Sequence, residues 1–96
     1  MAIRIRENSF PAWLAGRVLQ SKKTAMVIGK TIHLTGVNRE EFLQDKKWVA
    51  HEMAHVRQFR KYGFIRFIYM YLLESIKKGY HQNRFEAEAR EAENKV

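Results

Sequence analysis

The chain has 96 residues, no cysteine, and 18 Lys and Arg against 10 Asp and Glu, which gives a formal net charge of +8. This length fits one domain over residues 1–96 and is too short for a separate substrate-recognition domain. The lack of cysteine excludes a disulfide framework, and no apolar run of signal-peptide length follows the N-terminus, so we predict a cytoplasmic protein.

The basic excess permits binding to nucleic acid, anionic lipid or acidic protein, but it does not select among them. Lys and Arg are scattered along the whole sequence and match no nucleic-acid-binding motif. We therefore expect a solvated basic surface and no dedicated nucleic-acid site.

The chain begins with a predicted strand at residues 2–5 and a predicted helix at residues 11–20. Ser9 suits the N-cap of this helix, and Pro11 suits its first turn. Four large apolar side chains are expected to form its buried side, namely Trp13, Leu14, Val18 and Leu19.

A β-hairpin is predicted next. Residues 24–28 and 31–35 are β-branched or apolar runs joined by Gly29 and Lys30, a pattern typical of two strands with a tight turn. Asn38 then caps a short predicted helix that leads into the following segment.

The most informative segment is an H-E-x-x-H motif, which runs from His51 to His55. Residues 45–62 contain no Pro or Gly, and Gly63 follows at a C-cap position, so the motif is predicted to lie on a helix. Two histidines four residues apart share one face of a helix and can hold one zinc ion. Glu52 then lies beside the metal position, where a general base for hydrolysis is needed.

A catalytic zinc ion usually takes a third protein ligand. Asn83 is predicted to cap a C-terminal helix whose Glu86 and Glu88 flank the apolar face at similar angles, so periodicity alone leaves both open. Glu86 also fits a capping box with Asn83. His33 is expected to be a solvated strand residue, and His81 a turn residue in a loop.

The most apolar segment runs from Phe64 to Leu73 and contains Arg66. It is about half the length of a membrane span, so a transmembrane helix is rejected. We expect a core helix that returns the chain toward the motif. A face for a protein partner or a membrane surface is the alternative, because apolar residues cover more than one side of the helix.

The H-E-x-x-H motif, the helical stretch after it and the segment at residues 83–89 resemble the gluzincins, zincin metallopeptidases whose third ligand is a glutamate. The chain is similar in particular to small, uncharacterised bacterial domains related to the core domain found with contractile injection systems. Their ligand glutamate commonly stands three residues before an alanine, which implies zinc on His51, His55 and Glu86. The sequence departs from several such families at Arg90, where they place Asp or Asn, and an ion pair of Arg90 with Glu86 is the alternative.

The fold that this resemblance implies is α+β: a minimal zincin-like fold, mostly helical, with a small β-hairpin or sheet beside the motif helix. The strand at residues 31–35 would offer its edge to an extended substrate. The implied activity is zinc-dependent hydrolysis of peptide bonds, with Glu52 as general base. The alternative is a catalytically inactive zincin-fold binding module that acts through a protein partner or a membrane surface.

Three further residues are assigned supporting roles. Tyr62, on the same stripe as the two histidines, and Tyr80, shortly before the C-terminal helix, carry hydroxyls suited to stabilising a transition state. Gln58 is the nearest residue that could orient a metal ligand.

Overall fold

The computed structural model describes residues 3–96. Its elements in chain order are β1 (Arg4–Arg6), α1 (Phe10–Leu19), β2 (Thr24–Ile28), β3 (Thr31–Thr35), α2 (Arg39–Gln44), α3 (Lys46–Tyr62), α4 (Phe64–Gln82) and α5 (Arg84–Glu93). This is a small α+β fold that is mostly helical, as predicted. The first strand begins two residues later than predicted, and Ala2 lies outside the described residues.

The three strands form one sheet in the order β1-β3-β2. β2 and β3 are the predicted antiparallel hairpin, and β1 pairs with β3 in parallel. β3 is therefore the central strand, with Ile32 opposite both Ile5 and Val27. The prediction that the strand at residues 31–35 offers a free edge is wrong, because neighbouring strands occupy both of its sides. The free edge beside α3 belongs to β2.

The two faces of the sheet are covered by different helices. Ile32 and Leu34 are buried and belong to the core cluster that includes Val56 of α3. Successive strand residues point to opposite faces. His33 accordingly lies on the other face, where its Nδ1 is 2.7 Å from the Oγ of Ser9, just before α1.

The helix α1 packs on the sheet through its small residues. Ala12 and Gly16 are its buried positions, and a Cβ atom added to Gly16 would lie 2.8 Å from the carbonyl oxygen of Ser21. The backbone therefore approaches the chain before β2 too closely for large side chains to fit between them. The predicted buried side of this helix is wrong, since all four of its large residues are exposed: Trp13, Leu14, Val18 and Leu19.

The motif helix α3 has the predicted ends. The side chain of Asp45 accepts a hydrogen bond from the backbone N–H of Trp48 at 3.1 Å and so caps the first turn. At the other end Gly63 has φ +86°, a backbone conformation that favours glycine. Val56 and Phe59 of α3 face the core, which leaves the histidine side of the helix turned toward α5.

The apolar helix α4 fulfils its predicted core role on one side only, with Phe67 as its buried residue. Gly79, at φ +81°, interrupts the helix before its last turn. Within residues 3–96, no helix has the length and hydropathy needed to cross a bilayer.

Asn83 fixes the start of α5 against α4. Its Oδ1 accepts from the N–H of Phe85 at 2.8 Å, and its Nδ2 donates to the carbonyl of Tyr71 at 3.1 Å and to the hydroxyl of Ser75 at 2.9 Å. The residue is fully buried. One side chain thus determines where α5 begins, and with it the position of Glu86 one turn later.

We expect the substitution Asn83→Ala to lower the free energy of unfolding by about 2–3 kcal/mol, since a helix cap contributes about 1 kcal/mol and the two buried donor contacts add to it. The substitution Asn38→Ala removes the exposed N-cap of α2, which makes one bond to the N–H of Glu41. This control should cost about 1 kcal/mol. Urea unfolding of both variants gives the comparison, and equal losses would contradict the role assigned to Asn83.

Candidate metal centre

Three side chains from two helices converge on one point. The ligand atoms of His51, His55 and Glu86 all lie within 4.8 Å of one another. Oε1 of Glu86 is 3.1 Å from Nε2 of His51 and 3.2 Å from Nε2 of His55. The two imidazole rings are nearly perpendicular, at 74°, with centroids 5.2 Å apart. One carboxylate oxygen is thus shared between both histidines.

The alternative roles considered for Glu86 are not realised. The cap of α5 is made by the side chain of Asn83 with the N–H of Phe85, so Glu86 does not complete a capping box. The guanidinium of Arg90 donates to the backbone carbonyl of His81 at 2.7 Å instead of pairing with Glu86. The Glu86 carboxylate is buried and directed at the histidines.

The second nitrogen of each histidine is also held. Nδ1 of His51 lies 2.6 Å from Oε2 of Glu93, and Nδ1 of His55 lies 2.8 Å from Oε1 of Gln58. Both partners are oxygen acceptors at these contacts, so each Nδ1 must carry the proton. A neutral imidazole in this tautomer presents the lone pair of Nε2 to the shared point, as metal ligation requires.

Gln58 is held in the orientation that this tautomer needs. Its Nε2 donates to the carbonyl of Phe85 at 3.1 Å and to Oε1 of Glu88 at 2.9 Å. Both of these partners only accept, so the oxygen of the amide must face His55. Gln58 thus contacts His55, as its predicted orienting role requires, and the role itself stays a prediction. Glu88, the alternative third ligand, lies outside the cluster and contacts it only through Gln58.

Glu86 is oriented from a third helix. The hydroxyl of Tyr71, on α4, donates a short hydrogen bond to Oε2 of Glu86. That bond engages one carboxylate oxygen and leaves the other, Oε1, for the two histidines. Tyr71 was not predicted, because a tyrosine in an apolar helix has no sequence feature that separates a core role from a polar one. Glu93 was also missed, although it follows Glu86 by seven residues, two helical turns, and so shares its face.

The charges of the cluster are strongly coupled. Burial disfavours the charged form of His51, but hydrogen bonds with Glu86 and Glu93 and the nearby Glu52 outweigh it and raise the pKa to about 9. The pKa of His55 is raised in the same way against its burial. Burial opposes ionisation of Glu86, yet the two histidines and Tyr71 hold its pKa well below the ordinary value. Without a metal His51 therefore carries a second proton at neutral pH, and a bound cation must displace it.

Glu52 is the fourth polar residue at the centre. It is buried, with 4% of its surface exposed, and burial raises its pKa to about 7 against the opposing effect of His55 and His51. The side chain of Trp48, one turn earlier on α3, also lowers this pKa. Glu52 is not among the three convergent ligand atoms, so it is free to act on a group beside them.

A cleft of about 500 Å³ opens beside the cluster. Its lining includes His51, Glu52 and Glu93, and it is closed on another side by Thr24 and Ala25 of the free-edge strand β2. The remaining lining residues are Leu19, Ser21, Lys23, Asp45, Lys47, Trp48 and Tyr80. The cleft therefore joins the candidate metal ligands to a strand whose outer backbone groups are unpaired within the sheet.

The two tyrosines predicted as stabilisers occupy different places. Tyr80 lines the cleft, and burial together with Glu86 and Glu52 raises the pKa of its hydroxyl to about 12. Tyr62 packs between aromatic rings of the core, stacked on Phe67 at 6.4 Å and edge-on to Phe85 at 5.9 Å. Of the two, the structure brings only Tyr80 to the cleft. His33 and His81 lie outside the cluster, as expected. Their predicted surroundings are wrong, because His81 lies in the last turn of α4 and not in a loop, and His33 is partly buried against Ser9 and not solvated.

The donor set fits a zinc ion. Two imidazole nitrogens and one carboxylate oxygen are ordinary zinc ligands, and a tetrahedral ion with bonds of about 2.0–2.1 Å places its ligands roughly 3.4 Å apart. The observed separations of 3.1 and 3.2 Å from Glu86 to the histidines agree with that geometry. With neutral histidines, three lone pairs would face one another, so the arrangement requires either extra protons or one cation at the shared point.

Comparisons of the chain with protein-family models, with curated proteins and with solved structures find no match.

The position of Glu93 predicts a role in metal affinity. We expect the substitution Glu93→Ala to raise the dissociation constant for zinc about 10- to 100-fold, because His51 loses the acceptor that fixes its tautomer and ring orientation. The matched control is Glu91→Ala, an exposed carboxylate on the same helix. Competition with a chromogenic chelator measures the dissociation constant for zinc of each variant. The prediction fails if the two variants bind zinc equally well.

Proposed function

We propose that this protein is a zinc-dependent metallopeptidase with a minimal zincin-like fold of the gluzincin type. The observation that carries the proposal is the convergence of His51, His55 and Glu86 on one point, with Glu52 buried beside it and a cleft open to it. A cluster of ion pairs alone would account for the two histidines and Glu86. Glu52 makes no direct ion-pair contact with either histidine, although its charge is coupled to theirs, and it faces the cleft, where a general base is needed.

Each residue has a defined part in the proposed reaction. His51, His55 and Glu86 would hold the zinc ion, which when bound polarises the scissile carbonyl and lowers the pKa of water. Glu52 takes a proton from the attacking water and passes it to the leaving amine. The hydroxyl of Tyr80, on the wall of the cleft, is the group we assign to the developing oxyanion.

The substrate proposed for this cleft is an extended peptide. β2 is an edge strand, and Thr24 and Ala25 line the cleft that also contains His51. An added strand needs only unpaired backbone groups for its hydrogen bonds. A peptide paired with β2 would therefore run past the catalytic residues with little dependence on its side chains, which predicts broad sequence specificity. The predicted cytoplasmic location belongs to the same proposal.

Zinc uptake and zinc-dependent turnover test the proposal together. The untagged protein, stripped with a chelator and reloaded, should bind one zinc ion per chain and cleave members of a diverse peptide library. Activity should disappear on chelation and return with zinc. A chain that takes up no stoichiometric zinc would show the cluster to be an ion-pair network.

A second function is favoured by a separate observation, the many exposed apolar side chains of α4. A binding module that keeps zinc but does not turn over would act through such a surface. Stoichiometric zinc without cleavage of any library peptide would support this function over the peptidase.

A further inference from the structure

The helix α4 carries an apolar stripe on the side that faces solvent. Its members recur at intervals of four, three and four residues, which places them on one face of the helix. We call this set the outer stripe, and its side chains are 77%, 64%, 55% and 81% exposed in the order Ile65, Tyr69, Leu72 and Ile76. At 1.5 Å per residue the stripe is about 16 Å long.

The opposite side of α4 is firmly packed. Phe67 contacts the rings of Phe59 at 4.6 Å and of Phe85 at 5.1 Å, and Tyr71 donates to Glu86. The rotation of the helix about its axis is therefore fixed from the core side. Exposure of the outer stripe follows from this packing, and contiguous exposed apolar surfaces of folded proteins usually mark an interaction site.

One border of the outer stripe is basic. Arg66 and Lys77 are exposed and lie about 100° around the helix from the stripe. Glu74 is the one acidic residue of α4, and it lies on the far side, where it accepts from the backbone N–H of Arg84 and pairs with Lys78. No carboxylate of α4 therefore adjoins the stripe, on a chain whose formal net charge is +8.

The charges around the outer stripe favour one binding partner over another. A second copy of the chain would bring a net charge of +8 and the same basic border against an identical surface, and like charges would oppose the contact. An anionic bilayer offers both an apolar layer for the stripe and negative headgroups for its border. It is also an extended surface, so it attracts the whole basic chain rather than one side chain.

We propose that the outer stripe of α4 docks this protein on an anionic lipid bilayer. Ile65, Tyr69, Leu72 and Ile76 enter the boundary between headgroups and acyl chains, while Arg66 and Lys77 face the lipid phosphates. The helix lies along the surface and does not cross it, in keeping with the lack of a spanning helix in the described residues. The proposal does not depend on metal binding or on turnover.

Vesicle flotation tests it with the full chain. Phosphatidylcholine vesicles with and without phosphatidylglycerol are incubated with the wild type and with the double variant Ile65→Gln, Ile76→Gln. Glutamine is a good helix former, and both side chains are exposed, so the fold should be retained, which circular dichroism verifies. The control is Phe10→Gln, Val18→Gln, which removes apolar side chains of α1 that are 68% and 75% exposed.

The wild type should bind only the vesicles that contain phosphatidylglycerol, and the bound fraction should fall with added salt. The α4 variant should lose at least about tenfold in partition coefficient, and the α1 control should not. Failure of the wild type to bind anionic vesicles would overturn the proposal. An acidic protein would then be the expected binding partner of the outer stripe. Equal losses in both variants would also overturn the proposal, as would a wild-type dimer that the α4 substitutions convert to a monomer.

Discussion

Replacing Glu52 by glutamine should lower kcat for peptide hydrolysis by about 10²- to 10⁴-fold while zinc remains bound. Glutamine has the shape of glutamate but cannot take a proton from water. The position of Glu52 is buried, at 4% exposure, and glutamine places no charge there. The variant should therefore remain folded. The ligand set of His51, His55 and Glu86 is unchanged by the substitution, and zinc content is therefore the internal check.

The matched control for this prediction is Glu40→Gln, the same chemical change at an exposed position of α2. Its kcat and its zinc content should equal those of the wild type. A variant at Glu52 that keeps full activity would remove the general base from the proposed mechanism. A variant that loses zinc as well as activity would instead show that Glu52 maintains the metal centre.

The parts of the site that could be predicted are those set by local periodicity. A four-residue spacing on a helix places His51 and His55 on one face whatever surrounds them. The helix itself follows from the absence of Pro and Gly between Asp45 and Gly63, and the structure has its ends there. The hairpin and the caps Asn38 and Asn83 are equally local, and they too agree with the structure.

Periodicity could not choose between Glu86 and Glu88, because both flank the apolar face of α5. The choice depends on how α5 is rotated against α3, which is a property of packing. In the structure Asn83 ties the start of α5 to α4 and sets that rotation. The choice of Glu86 came from the resemblance to gluzincins, and the ligand role remains a proposal.

The wrong predictions concern contacts between elements. The sequence of α1 gives no indication that its small residues, Ala12 and Gly16, approach the sheet while its large residues face outward. The resemblance to zincins placed the free edge at β3, and the hairpin alone leaves either strand with one open side. Only the parallel pairing of β1, which is distant in sequence, closes that side of β3 and leaves β2 as the edge.

The substitution Glu86→Gln should raise the dissociation constant for zinc by more than about 100-fold, beyond the 10- to 100-fold range typical of residues that only orient a ligand. Glutamine replaces a charged ligand oxygen by an amide, and the two histidines lose the carboxylate that both contact through Oε1. Isothermal titration with zinc measures the change, and the loss of zinc should abolish hydrolysis as well.

The decisive control is Glu88→Gln, two residues along the same helix. Glu88 is exposed and meets the site only by accepting a hydrogen bond from Gln58, a role that a glutamine oxygen can also fill. Zinc affinity should therefore stay within a few-fold of the wild type, as Gln58 also keeps its bond to the carbonyl of Phe85. If the Glu88 variant loses zinc and the Glu86 variant keeps it, the third metal ligand is Glu88 and not Glu86. Unchanged affinity in both would mean that neither carboxylate is a ligand, and the shared contacts of Glu86 would then be ion pairs with protonated histidines.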